Sequence, residues 1–388
     1  MNTLFKIIVS ICRVFVGVLF IISGLIKAND TIGFGYKLEE YFQVFGTDFT
    51  SGPDSVLGKF FHFLESMAVE QAILICIVEI LLGVLLLLGK WKKFTLWMLA
   101  LMIVFFTFLT YYSAHYNKVT DCGCFGDALK LTPWQSFTKD VVLLVLIAIL
   151  IAGYKWIQPI FSKKATNIVL AVSTVLTIIF PLYTFAYMPV KDFRPYAIGN
   201  DIKEGMKGGT EGKYETVLVY KNLKTGQLKE FTNDAPWADT LNWAWDSTIT
   251  KEMVAPILAP IHDFLITDVE GSDYTEDILN YKGYQFFLVS RDLAKADRDI
   301  QPAINTFAQK AEKAGIPFYG LTSETPSAID QYRHEVQAMY AYYIVDATQL
   351  KTMIRANPGL ILLKGSVVKG MWGHNSFPEF EEVQKMMQ

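Results

Sequence analysis

The chain has 388 residues, 52% of them apolar, a net charge of −3 and only four cysteines. Residues 1–189 hold the long apolar runs and carry 14 Lys+Arg against 11 Asp+Glu, whereas the remainder carries 21 against 27. No basic patch suits nucleic acid, and the absence of cysteine after Cys124 excludes cysteine chemistry from the second half.

A helix needs roughly 20 apolar residues to cross a bilayer. Five segments approach this length: Leu4–Ile26, Ala72–Leu88, Phe94–Tyr112, Val141–Ile157 and Asn167–Pro189. Backbone polar groups in lipid need internal partners, so each segment is read as a helix. The first has Arg13 within it and no small-x-small cleavage pattern near its end, so it reads as a retained span rather than a signal peptide. Lys6, Lys90, Lys92, Lys93, Lys155, Lys163 and Lys164 fall on one side of these spans. Lys27, Lys37, Lys59, Lys118 and Lys130 are spread over longer, acid-rich loops on the other. The positive-inside rule then predicts a cytoplasmic N-terminus in a bacterial inner membrane, with the C-terminal domain periplasmic. Glu79 lies midway along the second span, and Arg13 is its expected counter-ion. The pair reads either as a proton- or quinone-linked cofactor site or as a structural ion pair.

Between spans three and four stands Asp121-Cys122-Gly123-Cys124-Phe125-Gly126-Asp127. Two thiols flanking a glycine can close a small ring, and strained, exposed disulfides exchange readily. Three readings stay open: a thiol–disulfide exchange site, a structural disulfide or turn, and a metal site completed by His115, Asp121 or His62. Two thiolates alone rarely make a metal site, so no metal is assigned. Asp121 and Asp127 oppose thiolate formation, and no cation is adjacent in sequence.

Arg13-x3-Gly17-x2-Phe20-x2-Ser23-Gly24-x2-Lys27-x2-Asp30, with Glu79, Leu81-Leu82-Gly83 and Gly89, resembles the DoxX family of four-helix membrane proteins. The Cys122-Gly123-Cys124-Phe125-Gly126 run resembles MauE, the methylamine-utilisation family of the same broad group. The likeness spans residues 8–155 or so. It implies maturation or redox conditioning of exported proteins and, from DoxX, quinone-linked sulfur chemistry.

After Phe193-Arg194-Pro195-Tyr196 the pattern turns to short strands and amphipathic helices. A strand is expected at Glu215–Tyr220, followed by a turn and a tryptophan-rich stretch (Trp237, Trp243, Trp245) without assignment. Strands at Tyr284–Ser290, Ile316–Leu321, Met339–Val345, Leu360–Leu363 and Val367–Trp372 alternate with helices at Asp299–Ala314, Pro326–His334 and Thr348–Arg355. This order predicts a mixed sheet covered by helices. It resembles membrane-anchored thioredoxin-like proteins over residues 260–380, and Pro358 matches that fold's usually cis proline. Where the family carries Cys-x-x-Cys, this chain has Arg291-Asp292-Leu293-Ala294-Lys295. The resemblance therefore implies, in place of redox catalysis by this domain, a binding groove kept beside Pro358, with a purely structural domain as the alternative.

The expected architecture is a membrane α-helical bundle at 1–160, four helices of DoxX type, with a fifth span at 161–190. A connecting region of unassigned fold (191–260) leads to an α/β thioredoxin-like soluble domain (261–388). Cys122 and Cys124 are the expected catalytic pair of a thiol–disulfide component acting on exported clients. Arg13 and Glu79 are the candidate quinone site, and membrane lipid is an expected partner. The alternative is a non-catalytic scaffold or assembly subunit of a cell-envelope complex.

Overall fold

A computed structural model describes the chain except Met1, residues 120–125, 130, 211, 233 and 255–256. Cys122 and Cys124 therefore lie outside the described residues. Among the described residues, five helices are long and apolar enough to cross a membrane: α1 (Asn2–Asn29), α4 (Ala68–Leu88), α5 (Lys92–Tyr116), α6 (Pro133–Ala152) and α7 (Lys163–Ala186). The protein is thus a membrane protein with five spans, as its apolar runs predict.

Two helices between the first and second spans are not predicted by the apolar runs. They are α2 (Thr31–Asp48) and α3 (Val56–Ser66). On α2 the buried positions Phe34, Leu38, Tyr41, Phe42 and Phe45 recur at helical spacing. They pack on Ala68, Ala72 and Cys76 of α4 and on Phe106, Leu109 and Tyr112 of α5. The Asp30 side chain caps α2 by accepting from the Gly33 amide at 3.0 Å.

The fourth span starts and ends earlier than predicted, at Pro133–Ala152 rather than Val141–Ile157. Thr132 and Gln135 form a capping box, and Pro133 occupies the first turn. Its polar first turns are satisfied internally. Buried Asp140 takes an ion pair from Lys139 at 2.7 Å and a hydrogen bond from Thr110 at 3.0 Å.

Helices α1 and α4 approach closely through glycine. A Cβ at Gly83 would stand 2.7 Å from the Gly17 carbonyl oxygen and 2.8 Å from Ile21. Gly83→Ala should therefore lower stability by about 1–3 kcal/mol, the usual cost of overpacking. Gly46→Ala, whose Cβ meets only Phe61 at 3.8 Å, is the matched control. Equal thermal unfolding of the two variants would show that the helices have room to spare.

Helix α7 is tied to the exit of α1. Thr184 donates to the Ala28 carbonyl at 2.5 Å, and Asn29 exchanges two hydrogen bonds with the Lys191 backbone at 2.7 and 2.9 Å. The following domain is thus anchored where α1 ends.

The soluble part contains α8 (Ile202–Gly205), β1 (Lys213–Asn222), β2 (Leu228–Phe231), β3 (Trp243–Val254) and α9 (Thr275–Asn280). Next come β4 (Tyr284–Val289), α10 (Gln301–Lys313), β5 (Phe318–Thr322), α11 (Pro326–Val336), β6 (Ala341–Ile344) and α12 (Ala347–Met353). The hairpin β7 (Gly359–Lys364) and β8 (Val367–Gly373) precedes α13 (Phe380–Met387). The main sheet has the order β6-β5-β4-β7-β8. Strands β4, β5 and β6 pair in parallel, and β7 is antiparallel to both β4 and β8.

Alternate residues of β4 feed opposite faces, as a pleated strand requires. Phe287 and Val289 pack with Leu350 and Met353, whereas Phe286 and Leu288 pack with Ile304, Phe307, Ile329 and Phe380. The Asn357–Pro358 bond is cis. Strand order, strand sense and cis proline together make this a thioredoxin-like fold.

Within 191–260, Tyr196 and Ile202 are buried in the core of this domain, and Asp201 bridges Val367. Strands β2-β1-β3 form a separate antiparallel sheet, with Trp243 opening β3 and Trp245 opposite Tyr220.

Candidate functional site at the junction of bundle and domain

Arg13 and Glu79 do not meet. Arg13 caps the C-terminal end of α4 instead, donating to the Leu86 and Leu87 carbonyls at 2.9 and 2.6 Å and to Gln158 at 2.8 Å. A cation suits the exposed carbonyls of a helix C-terminus, so the predicted Arg13–Glu79 pair is incorrect.

The partner of Glu79 is Lys27. Its Nζ lies 2.9 and 2.7 Å from the two carboxylate oxygens and 2.9 Å from Ser23 Oγ. Both side chains are buried, at 2% and 4% exposure, and the ammonium sits 4.7 Å from the Phe106 ring centroid. An ammonium has three donors, and these three acceptors engage them. None remains for a quinone carbonyl, and Arg13 is likewise held by carbonyls. The residues present do not fit a quinone at the predicted site.

Three residues beyond Lys27 begins a second ionic group, which joins the two halves of the molecule. Asp30 follows α1 directly and receives Arg355, which follows α12. Arg355 Nε stands 2.8 and 3.0 Å from the two Asp30 oxygens, and Nη2 stands 2.6 Å from Oδ2. Nη2 also reaches Asp127 at 3.4 Å. Such a fork is the geometry in which a guanidinium binds carboxylate most strongly.

Gly33 keeps this space open, because its Cβ would stand 2.6 Å from Arg355 Nη2 and 2.4 Å from Asp30 Oδ2. Burial pushes the Asp30 carboxyl up, but the charge and hydrogen bonds of Arg355 more than reverse this and hold it below the usual carboxylate range. Arg194 braces the same corner, donating to Asp192 at 2.8 and 2.7 Å and to the Met353 carbonyl at 3.4 Å.

Around Asp30 the Tyr36 ring of α2 is faced by three cations from the domain. Lys351, Arg291 and Arg355 lie 4.8, 5.2 and 5.7 Å from its centroid. Lys351 also pairs with Glu39 at 3.4 Å. Burial raises the Tyr36 phenol above its usual value against the pull of Arg291 and Arg355, and its hydroxyl is buried without a hydrogen-bond partner among the described residues.

Arg291 begins the segment that replaces the family's cysteine pair, and this segment abuts the cis proline. Asn357 donates to the Asp292 carbonyl at 2.8 Å and accepts from the Asp292 amide at 3.5 Å. The edge that would carry a redox motif in a catalytic thioredoxin therefore rests on the protein's own α2, close to the expected groove beside Pro358.

Cys122 and Cys124 fall outside the described residues, but Asp127, three positions after Cys124, is in the Arg355 contact. Neither histidine weighed as a metal ligand joins a cluster. His62 is exposed and faces Glu65 at 3.1 Å, and His115 stacks on Tyr111 at 5.4 Å. Among the described residues, no group of three His, Cys, Asp or Glu could hold a metal ion.

Sequence reasoning missed Lys27 as the partner of Glu79, although Lys27 closes the first apolar run on the same helix as Arg13. It also missed Asp30–Arg355, for which no local pattern gives a signal.

Residues 5–153 match the family model of methylamine utilisation protein MauE. No curated protein matches the chain. Among solved structures, the thioredoxin domain of a thiol-disulfide oxidoreductase from Bacteroides vulgatus is 12% identical, with a TM-score of 0.27, over 32% of this chain and 92% of its own. A protein proposed to be a disulfide isomerase, from Bacteroides thetaiotaomicron, is 15% identical, with the same TM-score of 0.27, over 32% of this chain and 86% of its own. The thioredoxin-like assignment itself rests on the strand order and the cis proline. The chain is a membrane protein in which a MauE-like bundle is joined, through a fifth span, to a thioredoxin-like domain that lacks cysteines.

Proposed function

We propose that this protein is a membrane thiol–disulfide component of the bacterial cell envelope. Cys122 and Cys124 are its exchanging pair, and the domain organises the loop that carries them. The supporting observation is the contact of Arg355 with Asp127, which ties the segment just after Cys124 to the edge of the thioredoxin-like domain. The loop's own acids oppose thiolate formation, and Arg355 offsets one of them.

In the exchange, a client dithiol attacks the Cys122–Cys124 disulfide. A mixed disulfide forms and resolves, leaving the client oxidised and the motif as two thiols. Two electrons and two protons pass to the motif, and exchange with the disulfide of a partner oxidoreductase restores it. On this reading the bundle lies in the inner membrane, with its N-terminus cytoplasmic and the loop and domain periplasmic. A periplasmic setting favours the disulfide.

One observation favours a second reading, a non-catalytic assembly factor. The domain's Arg291–Lys295 edge is already engaged by α2 through Tyr36.

Trapping thiols in intact cells with a membrane-impermeant alkylating reagent tests the first reading. Cys122 and Cys124 should be labelled only after reduction, and Cys122→Ser/Cys124→Ser should abolish client oxidation. Full complementation by that double variant refutes the exchange role and leaves the assembly role standing.

A further inference from the structure

The group around Tyr36 contains more than docking requires. Arg355 is matched by Asp30 and Asp127, and Lys351 by Glu39 at a loose 3.4 Å. Arg291 has no carboxylate at ion-pair distance among the described residues. Its hydrogen bond is a long one, from Nη1 to the Arg355 carbonyl at 3.5 Å. The neighbouring Asp292 carboxylate is turned to Lys295 at 3.3 Å. Among the described residues, a half-buried guanidinium without a carboxylate partner therefore faces a ring whose own buried hydroxyl has no hydrogen-bond partner.

Each of these is costly if left alone, because a buried polar group without a partner loses its hydration for nothing. Together they gather three donors around one ring: the planar fork of Arg291 and the ammonium of Lys351, 5.2 and 4.8 Å from the Tyr36 centroid, and the phenolic O–H of Tyr36 itself. A guanidinium fork with further donors from other directions suits a tetrahedral oxoanion. The first apolar span ends at Asn29, and Tyr36 lies within two turns of that point, so a lipid phosphate and a free phosphate both have access in principle.

We propose that Tyr36, Arg291 and Lys351 form a phosphate-binding site between the membrane bundle and the thioredoxin-like domain. The site is independent of the thiol–disulfide reading and couples the docking of the domain to an anionic ligand.

The test uses the full chain purified in non-ionic detergent. Thermal unfolding is followed with inorganic phosphate, with chloride at equal ionic strength, and with added phosphatidylglycerol. Stabilisation by phosphate beyond that by chloride identifies a site open to the free ion. Stabilisation by phosphatidylglycerol but not by phosphate identifies a lipid headgroup site.

In either case Tyr36→Phe and Arg291→Gln should each raise the ligand concentration for half-maximal effect about tenfold, the loss expected for one charge-assisted hydrogen bond. The exposed Lys295→Gln should not. Tyr36→Phe keeps the ring under the three cations, so the domain stays docked and only the hydroxyl is removed. No stabilisation by either ligand overturns the proposal, as does stabilisation of equal size and midpoint in wild type and both variants.

Discussion

Lys27→Met is expected to be among the most destabilising single substitutions in the bundle, by about 3–5 kcal/mol, the range found when one partner of a buried pair is removed. The charge is enclosed on every side. Ser23 and both Glu79 oxygens accept from Nζ, and the Phe34 and Phe106 rings stand 5.6 and 4.7 Å from it. Without Lys27, Glu79 must keep an uncompensated charge among apolar groups or take up a proton, and both are unfavourable. Replacing both partners by apolar residues removes the problem, so Lys27→Met/Glu79→Leu should recover most of the loss. Thermal unfolding of wild type, both single variants and the double variant in detergent gives the coupling energy directly. A coupling near zero would mean that the two charges do not depend on each other.

The five spans were legible because a run of apolar residues is itself the requirement for crossing a bilayer. The α/β order of the domain was legible for a similar reason, since period-2 apolar strands such as β4 and β7 alternate with capped helices. Legibility failed where polar residues are satisfied by distant partners. The polar first turns of α6 looked like loop because nothing local reveals that Thr110 and Lys139 meet Asp140. Helices α2 and α3 looked like an acidic loop because only one stripe of α2 is apolar.

A buried Glu79 demands a cation, and the sequence offers both Arg13 and Lys27 on the first span. Arg13 is aligned with the last turn of α4, whose carbonyls it caps. The Asp30–Arg355 contact joins residues 325 apart, and no periodicity or motif encodes such a pairing. It follows from the fifth span, which returns the chain to the C-terminal end of α1 through Asn29 and Lys191.

That contact sets the second large effect. Arg355→Ala should release the domain from the bundle at a cost of about 3 kcal/mol or more, because it leaves Asp30 partly buried and unpaired. Arg355→Lys should recover only part of the loss, since an ammonium cannot reproduce the two-pronged contact. Undocking is distinct from unfolding and has its own signature. Amide hydrogen exchange should accelerate in the first turns of α2 and in α12, while the central strand β4 stays protected.

The same linkage predicts the response to acid. Asp30 has a pKa held below its ordinary value in the docked state and regains about 3.9 on release. A depressed carboxyl contributes its full stabilisation above the ordinary pKa and loses it as the pH falls through the lowered one. Docking should therefore be insensitive to pH from about 5 to 8 and weaken progressively below about 4. In Arg355→Ala most of this acid dependence should disappear, because only the charge of Arg194 and the Gly33 amide then favour the ionised form of Asp30. If α2 exchanges as slowly in Arg355→Ala as in the wild type, the contact does not hold the domain. The remaining candidates are then the cations stacked on Tyr36 and the Asn29–Lys191 tie at the end of α1.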